Sequence, residues 1–416
     1  MTPEIKTRID QIRRGEVPEG FVLKRKNIIP KEWGICQIRD VAMVSSGGTP
    51  NRNHSEYWNG GIPWVTTGEL ESGYIAETNE TISDKALEDM NLRIYPVGTI
   101  LMAMYGQGKT RGTVAILGME ATVNQACAAI SLKAGDPRFV LFALQNAYND
   151  IRRLSNSGNQ ENLNADIIKT YSLSWPSISE QQMIAEILTT QNKIIELKEK
   201  ILTEKQSQKK YLMQQLLTGK KRLSGFNGKW EYLRSKIVFK NVVKKNQDDS
   251  LEVLSATQDR GIIPRSQVDI DIKYDKSSLS GYKKVGAGNF VISLRSFQGG
   301  IEYSEYTGIV SPAYTVLAPC IPIIDMYYKQ LFKSPDYIAH LNVAVYGIRD
   351  GKQISYDDFG RIRIPYPPIE EQRAIAQIFL VVDREIELLQ KDIEQEKQKK
   401  KALMQLLLTG IVRVNV

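Results

Sequence analysis

Polar side chains that can read DNA bases cluster in the predicted turns of two regions of the chain. Arg and Lys pair with guanine, and Gln and Asn with adenine, through two hydrogen bonds each. In the first region the candidates are Thr66, Thr67, Tyr105, Gln107, Lys109, Arg111, Gln160 and Asn162. In the second region they are Arg260, Arg265, Arg295, Gln298, Tyr303, Arg349 and Lys352. For any one residue a solvated surface position is the simpler interpretation, but the clustering favours DNA contact for the two groups.

The glycine-rich loop from Gly106 to Gly112 has the composition of a phosphate-binding loop but not its spacing. A Walker A loop requires glycine where Ala103 stands. The dinucleotide fingerprint requires its third glycine one residue before Gly112. What remains is a Gly-rich loop with Lys109 and Arg111, placed after a predicted strand and suited to close approach to nucleic acid.

Catalytic motifs are weak in this sequence. Pro335-Asp336 followed by Asp350-Gly351-Lys352 loosely fits a nuclease pattern, but such matches arise often by chance and no upstream acid supports this one. Asp350-Gly351 instead predicts a turn before a strand at residues 354–356. Tyr366-Pro367-Pro368 only starts a helix and does not form a methyltransferase site. We therefore expect a non-catalytic chain with no cofactor or metal of its own.

Two long stretches of the chain repeat each other, and we expect them to position these turns. Trp175–Gly219 and Tyr366–Gly410 align without a gap at an offset of 191 residues (410 − 219). Each begins at a proline, ends in Thr-Gly and has no internal Pro or Gly, as a long capped helix requires.

Apolar residues recur every seven positions in both stretches, which is typical of a coiled coil. Polar residues interrupt the pattern at Gln191, Lys198 and Lys205 in the first copy and at Glu396 and Lys400 in the second. The pattern predicts that the two helices pair antiparallel. The alternative is that each helix packs into its own globular domain.

The regions between the helices predict the domain organisation. Short strand-like runs such as residues 98–104, 289–294 and 313–317 mix with amphipathic helices at residues 138–147 and near 322–331. The fold class is therefore α+β, with two α/β recognition domains separated by two long antiparallel coiled-coil helices in a pseudo-two-fold internal duplication. The predicted divisions are residues 1–22 (an N-terminal helical segment), 23–174 (the first domain), 175–222 (the first helix), 223–365 (the second domain) and 366–416 (the second helix).

The N-terminal segment has two interpretations. Residues 12–33 resemble the passage that follows the first long helix, so the start of the chain looks like the tail of a further helix copy that meets the chain's end. An ordinary N-terminal helix docked on its domain is the alternative.

Composition limits the class of protein. The 416 residues allow two or three domains with proper cores. No apolar run reaches the length of a membrane span, and three cysteines without a CxxC pair fit a reducing cytoplasm. Two histidines argue against zinc or histidine-based catalysis, and a net charge of +8 weakly favours a polyanionic partner.

Several motifs together resemble the specificity subunit of type I restriction-modification enzymes over essentially the whole chain. They are SerGlyGlyThrPro (46–50), TyrTrpAsnGlyGlyIleProTrpVal (57–65), Gly98-Thr99-Ile100-Leu101, Asn124-Gln125, GlyIleValSerProAlaTyr (308–314) and the two Pro-x-x-x-Glu-Gln-x-x-Ile-Ala helix starts. The second domain lacks counterparts of GlyGlyThrPro and IleProTrp, which indicates a different subtype of domain and a different half-sequence.

The resemblance implies a non-catalytic subunit that reads DNA sequence. Each domain would read one half of a bipartite double-stranded target, and the helices would set the spacing and dock two methyltransferase subunits. Those partners would bind S-adenosylmethionine and methylate adenine, and restriction and translocase subunits would join them. The alternative from another class is a coiled-coil structural or adaptor protein without sequence readout.

Overall fold

The structure is a computed structural model that describes residues 2–25, 27–106, 108–154, 162–246, 250–268, 276–344 and 354–414. Contacts within the chain divide it into two compact units. The first unit is Met1–Lys198 with Asp392–Val416, and the second unit is Glu199–Lys391. The units divide both long helices, whereas the predicted five-part division keeps each helix whole, so that division stays a prediction.

Strands and helices alternate through the described residues. The strands are β1 (Phe21–Lys24), β2 (Asn27–Pro30), β3 (Gly34–Gln37), β4 (Ala42–Ser46), β5 (Trp58–Val65), β6 (Tyr74–Ile75), β7 (Glu80–Ile82), β8 (Ile100–Ala103), β9 (Val114–Leu117), β10 (Thr122–Val123), β11 (Cys127–Leu132), β12 (Ser172–Trp175), β13 (Glu231–Arg234), β14 (Phe239–Val242), β15 (Leu254–Thr257), β16 (Gly261–Pro264), β17 (Lys283–Val285), β18 (Phe290–Ile292), β19 (Glu302–Tyr303), β20 (Gly308–Val310), β21 (Thr315–Pro319) and β22 (Arg363–Tyr366). The α-helices are α1 (Pro3–Arg13), α2 (Ile38–Val41), α3 (Asp84–Asp89), α4 (Pro137–Asn146), α5 (Tyr148–Arg153), α6 (Ala165–Thr170), α7 (Ile178–Leu216), α8 (Ser235–Val238), α9 (Ser296–Gly299), α10 (Asp325–Lys333), α11 (Pro335–Ala344), α12 (Tyr356–Arg361) and α13 (Ile369–Leu407).

The main sheet of the first unit has the order β4-β11-β8-β9-β6. Strand β8 is buried along its whole length, as expected for an apolar run at the centre of a sheet. Helix α4 packs its aromatic side chains Phe139 and Phe142 into the same core as Ile100 and Met102. A smaller sheet, β10-β5-β7, joins β5 and β10 in parallel.

The main sheet of the second unit has the order β14-β21-β18-β19, which repeats β4-β11-β8-β9 strand for strand. All pairs in both four-strand sets are antiparallel. The outer pair β12–β3 of the first unit also has a counterpart, β13–β22, in the second. The two units therefore share one strand frame, although their sequences between the helices differ.

The two long helices, α7 and α13, have 39 residues each and are about 58 Å long at 1.5 Å per residue. In the first unit Lys198 of α7 contacts Glu396 of α13 at 2.9 Å. In the second unit Lys205 contacts Glu385 at 2.7 Å. Within the first unit Gln191 also contacts Glu396, and Lys198 also contacts Asp392. Within the second unit Lys209 contacts Asp383. In each unit the partner numbers fall along α13 as they rise along α7, so the predicted antiparallel pairing is confirmed within each unit.

The Glu-Gln pair that opens each long helix is buried and fixes the helix start. Gln181 donates to the carbonyl of Pro176 at 3.0 Å and accepts from the backbone of Asp136, the N-cap of α4, at 3.0 Å. Gln372, at the start of α13, makes the same two bonds: it donates to the carbonyl of Pro367 and accepts from the backbone N–H of Ile324, just before α10. Each glutamine thus ties the start of a long helix to the start of a shorter helix of the same unit.

Predicted helices and strands that fall on described residues are confirmed except in two places, and the turn predicted at Asp350-Gly351 lies outside the described residues. The helix expected at 138–147 is α4, but the one expected near 322–331 begins later, at Asp325. The strand expected at 354–356 is wrong, because the Ser355 side chain accepts from the Asp358 backbone at 3.1 Å and caps α12 instead. Within the described ranges, no helix has the length and apolarity needed to cross a membrane.

The start and the end of the chain meet in the first unit. Arg8 of α1 donates to the carbonyl of Ile411, beyond the end of α13, at 2.5 Å. Its guanidinium also lies over the ring of Phe21, 5.2 Å from the centroid. The expected meeting of the two ends is therefore observed, while the interpretation of α1 as a further helix copy stays a prediction.

Candidate nucleic-acid interface

The loop that follows β8 in the first unit presents part of the predicted DNA-reading surface. Tyr105 has 40% of its surface exposed, and Lys109 is also exposed. Gln107, predicted with them, lies outside the described residues. The exposed ammonium group of Lys109 can reach a base edge or a phosphate.

Side chains of helix α5 hold this loop by donating hydrogen bonds to the backbone carbonyls of the loop. Arg152 donates to the carbonyl of Arg111 at 2.6 Å and to that of Gly108 at 2.8 Å. The hydroxyl of Tyr148 donates to the carbonyl of Lys109 at 2.6 Å. Gly112, at φ +83°, lies so close to α5 that an added Cβ would be 3.2 Å from Cγ of Arg152.

Backbone hydrogen bonds bring several other predicted segments to the same edge of the first unit. Three bonds join residues close to strand ends: Asn124 N–H to Val65 O, Gly48 N–H to Val123 O, and Met104 N–H to Ala126 O. A fourth joins the N–H of Leu163, just before α6, to the carbonyl of Met104 after β8. The segments that carry Thr66, Tyr105 and Asn162 are therefore linked through the ends of β5, β8 and β10. Gln160 lies outside the described residues.

Thr66 and Thr67 begin a short 3₁₀ helix, Thr67–Ser72. The backbone N–H and the hydroxyl of Thr66 both donate to a carboxylate oxygen of Glu69, at 2.7 and 2.9 Å. The proton of the Thr66 hydroxyl is thus engaged in capping this turn, and Thr67 is half-buried beside it.

The structure corrects the predicted position of Arg111 in the first unit. Its side chain is only 7% exposed, although it was expected to face DNA. A direct base contact requires donors that reach solvent, so Arg111 serves the surface through its carbonyl, which Arg152 binds. Burial follows from the close packing of the loop onto α5.

In the second unit the β15–β16 hairpin presents Arg260 at its turn. The Arg260 side chain is exposed, and its backbone N–H donates to the Thr257 hydroxyl at 3.2 Å. Arg265 follows the hairpin, is half-buried and donates from Nε to the Ser255 hydroxyl at 3.2 Å.

The loop after β18 presents Arg295 and Gln298, both exposed, at the two ends of the short helix α9. Burial raises the pKa of Tyr314, while the positive charges of Arg265 and Arg295 act to lower it.

The structure also corrects the predicted surface position of Tyr303 in the second unit. Its side chain is 7% exposed, and its hydroxyl donates to the carboxylate of Asp325 at 2.5 Å. Burial, with the hydrogen bond to Asp325 as a further cause, raises the pKa of Tyr303. Tyr303 therefore packs in the core and binds the first residue of α10, instead of standing exposed on the surface as predicted. Arg349 and Lys352 lie outside the described residues.

The structure also reveals a lysine that sequence reasoning missed. The ammonium group of Lys333, at the end of α10, donates to the carbonyls of Gln258 and Gly299 at 3.1 and 2.8 Å. It also contacts the carboxylate of Glu302, which is 2% exposed, at 2.6 Å. Burial raises the pKa of Glu302, and the charge of Lys333 opposes that shift. These contacts join the β15–β16 turn and α9 to the end of α10, and Lys333 lies 75 residues beyond Gln258, too far for a local sequence signal.

Metal-ligating groups and cysteine thiols are the remaining candidates for reactive chemistry in the described residues. No group of metal-ligating side chains exists among the described residues. Burial raises the thiol pKa of Cys36 and of Cys127 to about 12, so both thiols are protonated near neutral pH. The exposed side chains are hydrogen-bond donors and cations, which suit contact with DNA.

Comparisons with known proteins identify the family of the chain as a whole. The family described as "Type I restriction modification DNA specificity domain" matches residues 30–207 and 279–397. The type I restriction enzyme MjaIX specificity subunit of Methanocaldococcus jannaschii is 34% identical over 178 residues, which are 41% of this chain and 40% of that protein. The putative MjaX specificity subunit of the same organism is 24% identical over 427 residues, covering 95% of this chain and 97% of that one.

Solved structures show the same fold. The S subunit of a type I restriction-modification system from M. genitalium has a TM-score of 0.56 at 13% identity and covers 95% of this chain and 98% of its own. A chain solved in work on complex assembly and conformational transition of the type I R-M system has a TM-score of 0.60 at 15% identity, covering 92% and 99%. The matched residues amount to more than half of the sequence, and the chain therefore belongs to the type I restriction-modification DNA specificity family.

Proposed function

We propose that the chain is the DNA-recognition subunit of a type I restriction-modification complex and that each unit reads one half of a bipartite target. It contributes recognition rather than catalysis. Methylation of adenine with S-adenosylmethionine belongs to two partner methyltransferase subunits, and cleavage belongs to restriction subunits.

One observation carries the proposal: the strand order β4-β11-β8-β9 recurs as β14-β21-β18-β19, while the loops after the equivalent strands β8 and β18 differ. A frame that is constant in its strands and variable in its loops suits two readers of different half-sequences. An adaptor that only assembles other proteins has no need of divergent polar loops at equivalent positions.

The exposed side chains of these loops have suitable chemistry. Lys109 in the first unit and Arg260, Arg295 and Gln298 in the second are exposed. Lysine and arginine recognise guanine, and glutamine recognises adenine, in the major groove. We exclude Arg111 and Tyr303 from direct contact because both are buried.

The long helices offer surface for the partner subunits. In the first unit α7 exposes Met183 and Leu197, which are 42% and 49% exposed. In the second unit exposed apolar side chains occur on both helices: Ile201, Tyr211, Leu380, Val381 and Leu388. Exposed apolar side chains on a helix can contact a protein partner. These residues support docking of methyltransferase subunits on the helices.

Selection from a random duplex pool tests the function directly. The full chain with its partner methyltransferase is incubated with the pool, and bound duplexes are sequenced. We expect enrichment of a motif split into two short blocks. A pool that stays flat would favour the adaptor.

Single substitutions then assign each block to a unit. Lys109→Ala should relax one block only, and Arg295→Ala the other, each by about 1–3 kcal/mol for a lost base contact. Arg153→Ala is a matched control, because Arg153 is an exposed cation paired with Asp150 near the first loop. Uniform weakening on all sequences would instead assign these residues to phosphate contacts.

A further inference from the structure

The two units hold their equivalent loops in the same manner. In the first unit a cation of α5, Arg152, binds two carbonyls of the loop after β8. In the second unit a cation of α10, Lys333, binds a carbonyl of the segment after β18 and one of the β15–β16 turn. Both helical segments follow the main sheet in their units, although the cations lie at different sequence positions.

Glycine allows the close approach in both places. Gly112 has φ +83° and packs against Arg152. Gly300 has φ +79°, and an added Cβ would lie 2.1 Å from the carbonyl of Phe332, next to Lys333. The backbone at Gly300 has no room for a side chain, and at Gly112 a Cβ would make a tight contact with Arg152 in a backbone conformation that side chains rarely adopt. Both glycines thus permit the close approach of the loop to the cation.

The contacts also decide which groups the loops offer to DNA. Phosphate oxygens are acceptors, so a loop that turned its carbonyls toward DNA would repel the backbone. Arg152 and Lys333 bind these carbonyls from the protein side. Lys109 lies in the loop that Arg152 binds, and Arg260 and Gln298 lie beside the carbonyls that Lys333 binds. All three side chains are exposed.

We propose that Arg152 and Lys333 are positioning residues, each of which fixes the DNA-reading loop of its own unit through backbone carbonyls. The inference rests on the proposed function. A loop held in its binding conformation loses little freedom when DNA binds. Loss of the hydrogen bonds from Arg152 or Lys333 to the loop carbonyls should therefore reduce discrimination between sequences. Neither side chain itself touches a base.

The test uses the full chain with its partner methyltransferase and DNA in which either half-site is randomised. The variants are Arg152→Met and Lys333→Met, which keep much of the length and remove the donors. The matched controls are Arg153→Met, next to Arg152 and paired with exposed Asp150, and Lys329→Met, one turn before Lys333 and paired with exposed Glu305. Each control removes one charge from the same helix and leaves the loop carbonyls bound.

We expect Arg152→Met to lower discrimination at the first unit's half-site about tenfold, in the range of one lost base contact, and to leave the other half-site unchanged. Lys333→Met should lower discrimination at the second unit's half-site and leave the first unit's half-site unchanged. The slope of log K against log salt should match that of the corresponding control. A direct phosphate contact would instead lower the slope by about one relative to the control.

Three results would overturn the proposal: unchanged discrimination in both variants, equal loss at both half-sites, or a salt slope reduced below that of the control. If a methionine variant does not fold, Arg152→Lys and Lys333→Arg keep the charge and alter the geometry. They should reduce discrimination at one half-site only, and wild-type discrimination would contradict the positioning role. A wild-type complex that selects no split motif refutes the proposed function first, and the positioning role with it.

Discussion

Arg413 donates two hydrogen bonds to the carboxylate of Glu180, at 2.6 and 2.9 Å, although the two residues lie 233 positions apart. The indole N–H of Trp33 donates to the same carboxylate at 2.9 Å. Glu180, at the start of α7, thus joins the N-terminal part of the first unit to the segment after α13. The carboxylate is almost fully buried, so these three bonds replace its contacts with water.

Glu371 repeats this arrangement in the second unit and gives a stability prediction. It accepts from Arg222 at 2.6 Å, twice, and from the indole of Trp230 at 2.8 Å. Glu371→Ala leaves the buried indole N–H without its acceptor, so we expect the free energy of unfolding to fall by about 1–3 kcal/mol. Urea unfolding measures the loss.

The control for this prediction is Glu370→Ala. Glu370 is one residue earlier in α13, and its side chain is 69% exposed. Its removal should change stability by less than about 0.5 kcal/mol. Equal effects of the two substitutions would mean that the buried junction contributes no special stability.

Gly300→Ala should destabilise the second unit. Gly300 has φ +79° and ψ −170°, a conformation that is essentially restricted to glycine. Its added Cβ would also collide with the carbonyl of Phe332. We expect a loss of at least about 1–3 kcal/mol from the backbone conformation alone, measured by urea unfolding. Gly228→Ala is the control, since nothing lies within 4 Å of its Cβ position, and similar losses would contradict the prediction.

Acid should weaken the first unit through Glu396. Hydrogen bonds from Lys198 and Gln191 lower the pKa of Glu396 from 4.5 to about 2. The folded chain then binds fewer protons than the unfolded chain between these values. The stabilisation is present above about pH 4.5 and is lost as the pH falls toward 2.

The measurement is the thermal midpoint between about pH 5 and 2.5, the window in which this carboxylate differs between the two states. Glu396→Gln should show a shallower fall than the wild type. Glu394→Gln is the matched control, because Glu394 is an exposed neighbour that accepts from Gln398. Parallel curves for the wild type and Glu396→Gln would rule out this carboxylate as a source of the acid sensitivity.

Helix length should set the spacing of the half-sites if the helices measure it. Seven residues inserted in α7 between Lys198 and Glu199, and seven in α13 between Lys391 and Asp392, leave the sequence of each unit intact. The addition is about 10 Å of helix. We expect selected DNA to keep both blocks and to change their separation by about three base pairs at 3.4 Å each.

An insertion in α7 alone is the control, because it shifts the register of the pair and should impair folding or binding. A double insertion that binds DNA with unchanged spacing would reject the helices as the determinant of distance.

The sequence predicted the long helices well because their apolar residues recur at a regular local spacing. It also placed α4 and the central strands β8 and β18 correctly, since each is a short apolar run bounded by turn residues. The strand order could not be predicted, because it depends on pairing between distant segments.

The candidate site was harder to predict than the frame. Exposed Lys109 and Arg295 were identified by residue type alone, but so were buried Arg111 and Tyr303. Residue type does not indicate whether a side chain in a turn points outward. Arg152 was missed because its carbonyl partners lie 41 and 44 residues away and carry no side-chain signature.

The polar contacts of Glu396 also determine which helices can recognise each other. The offset of 191 residues places Lys205 in α7 where α13 has Glu396. If the α7 helices of two molecules paired in the same antiparallel register, Lys198 of each would face Lys205 of the other, and two-fold symmetry would double the repulsion. During synthesis α7 is complete long before α13 exists, and many identical copies of α7 can meet. We expect this repulsion to disfavour such encounters relative to pairing of each α7 with the α13 of its own chain.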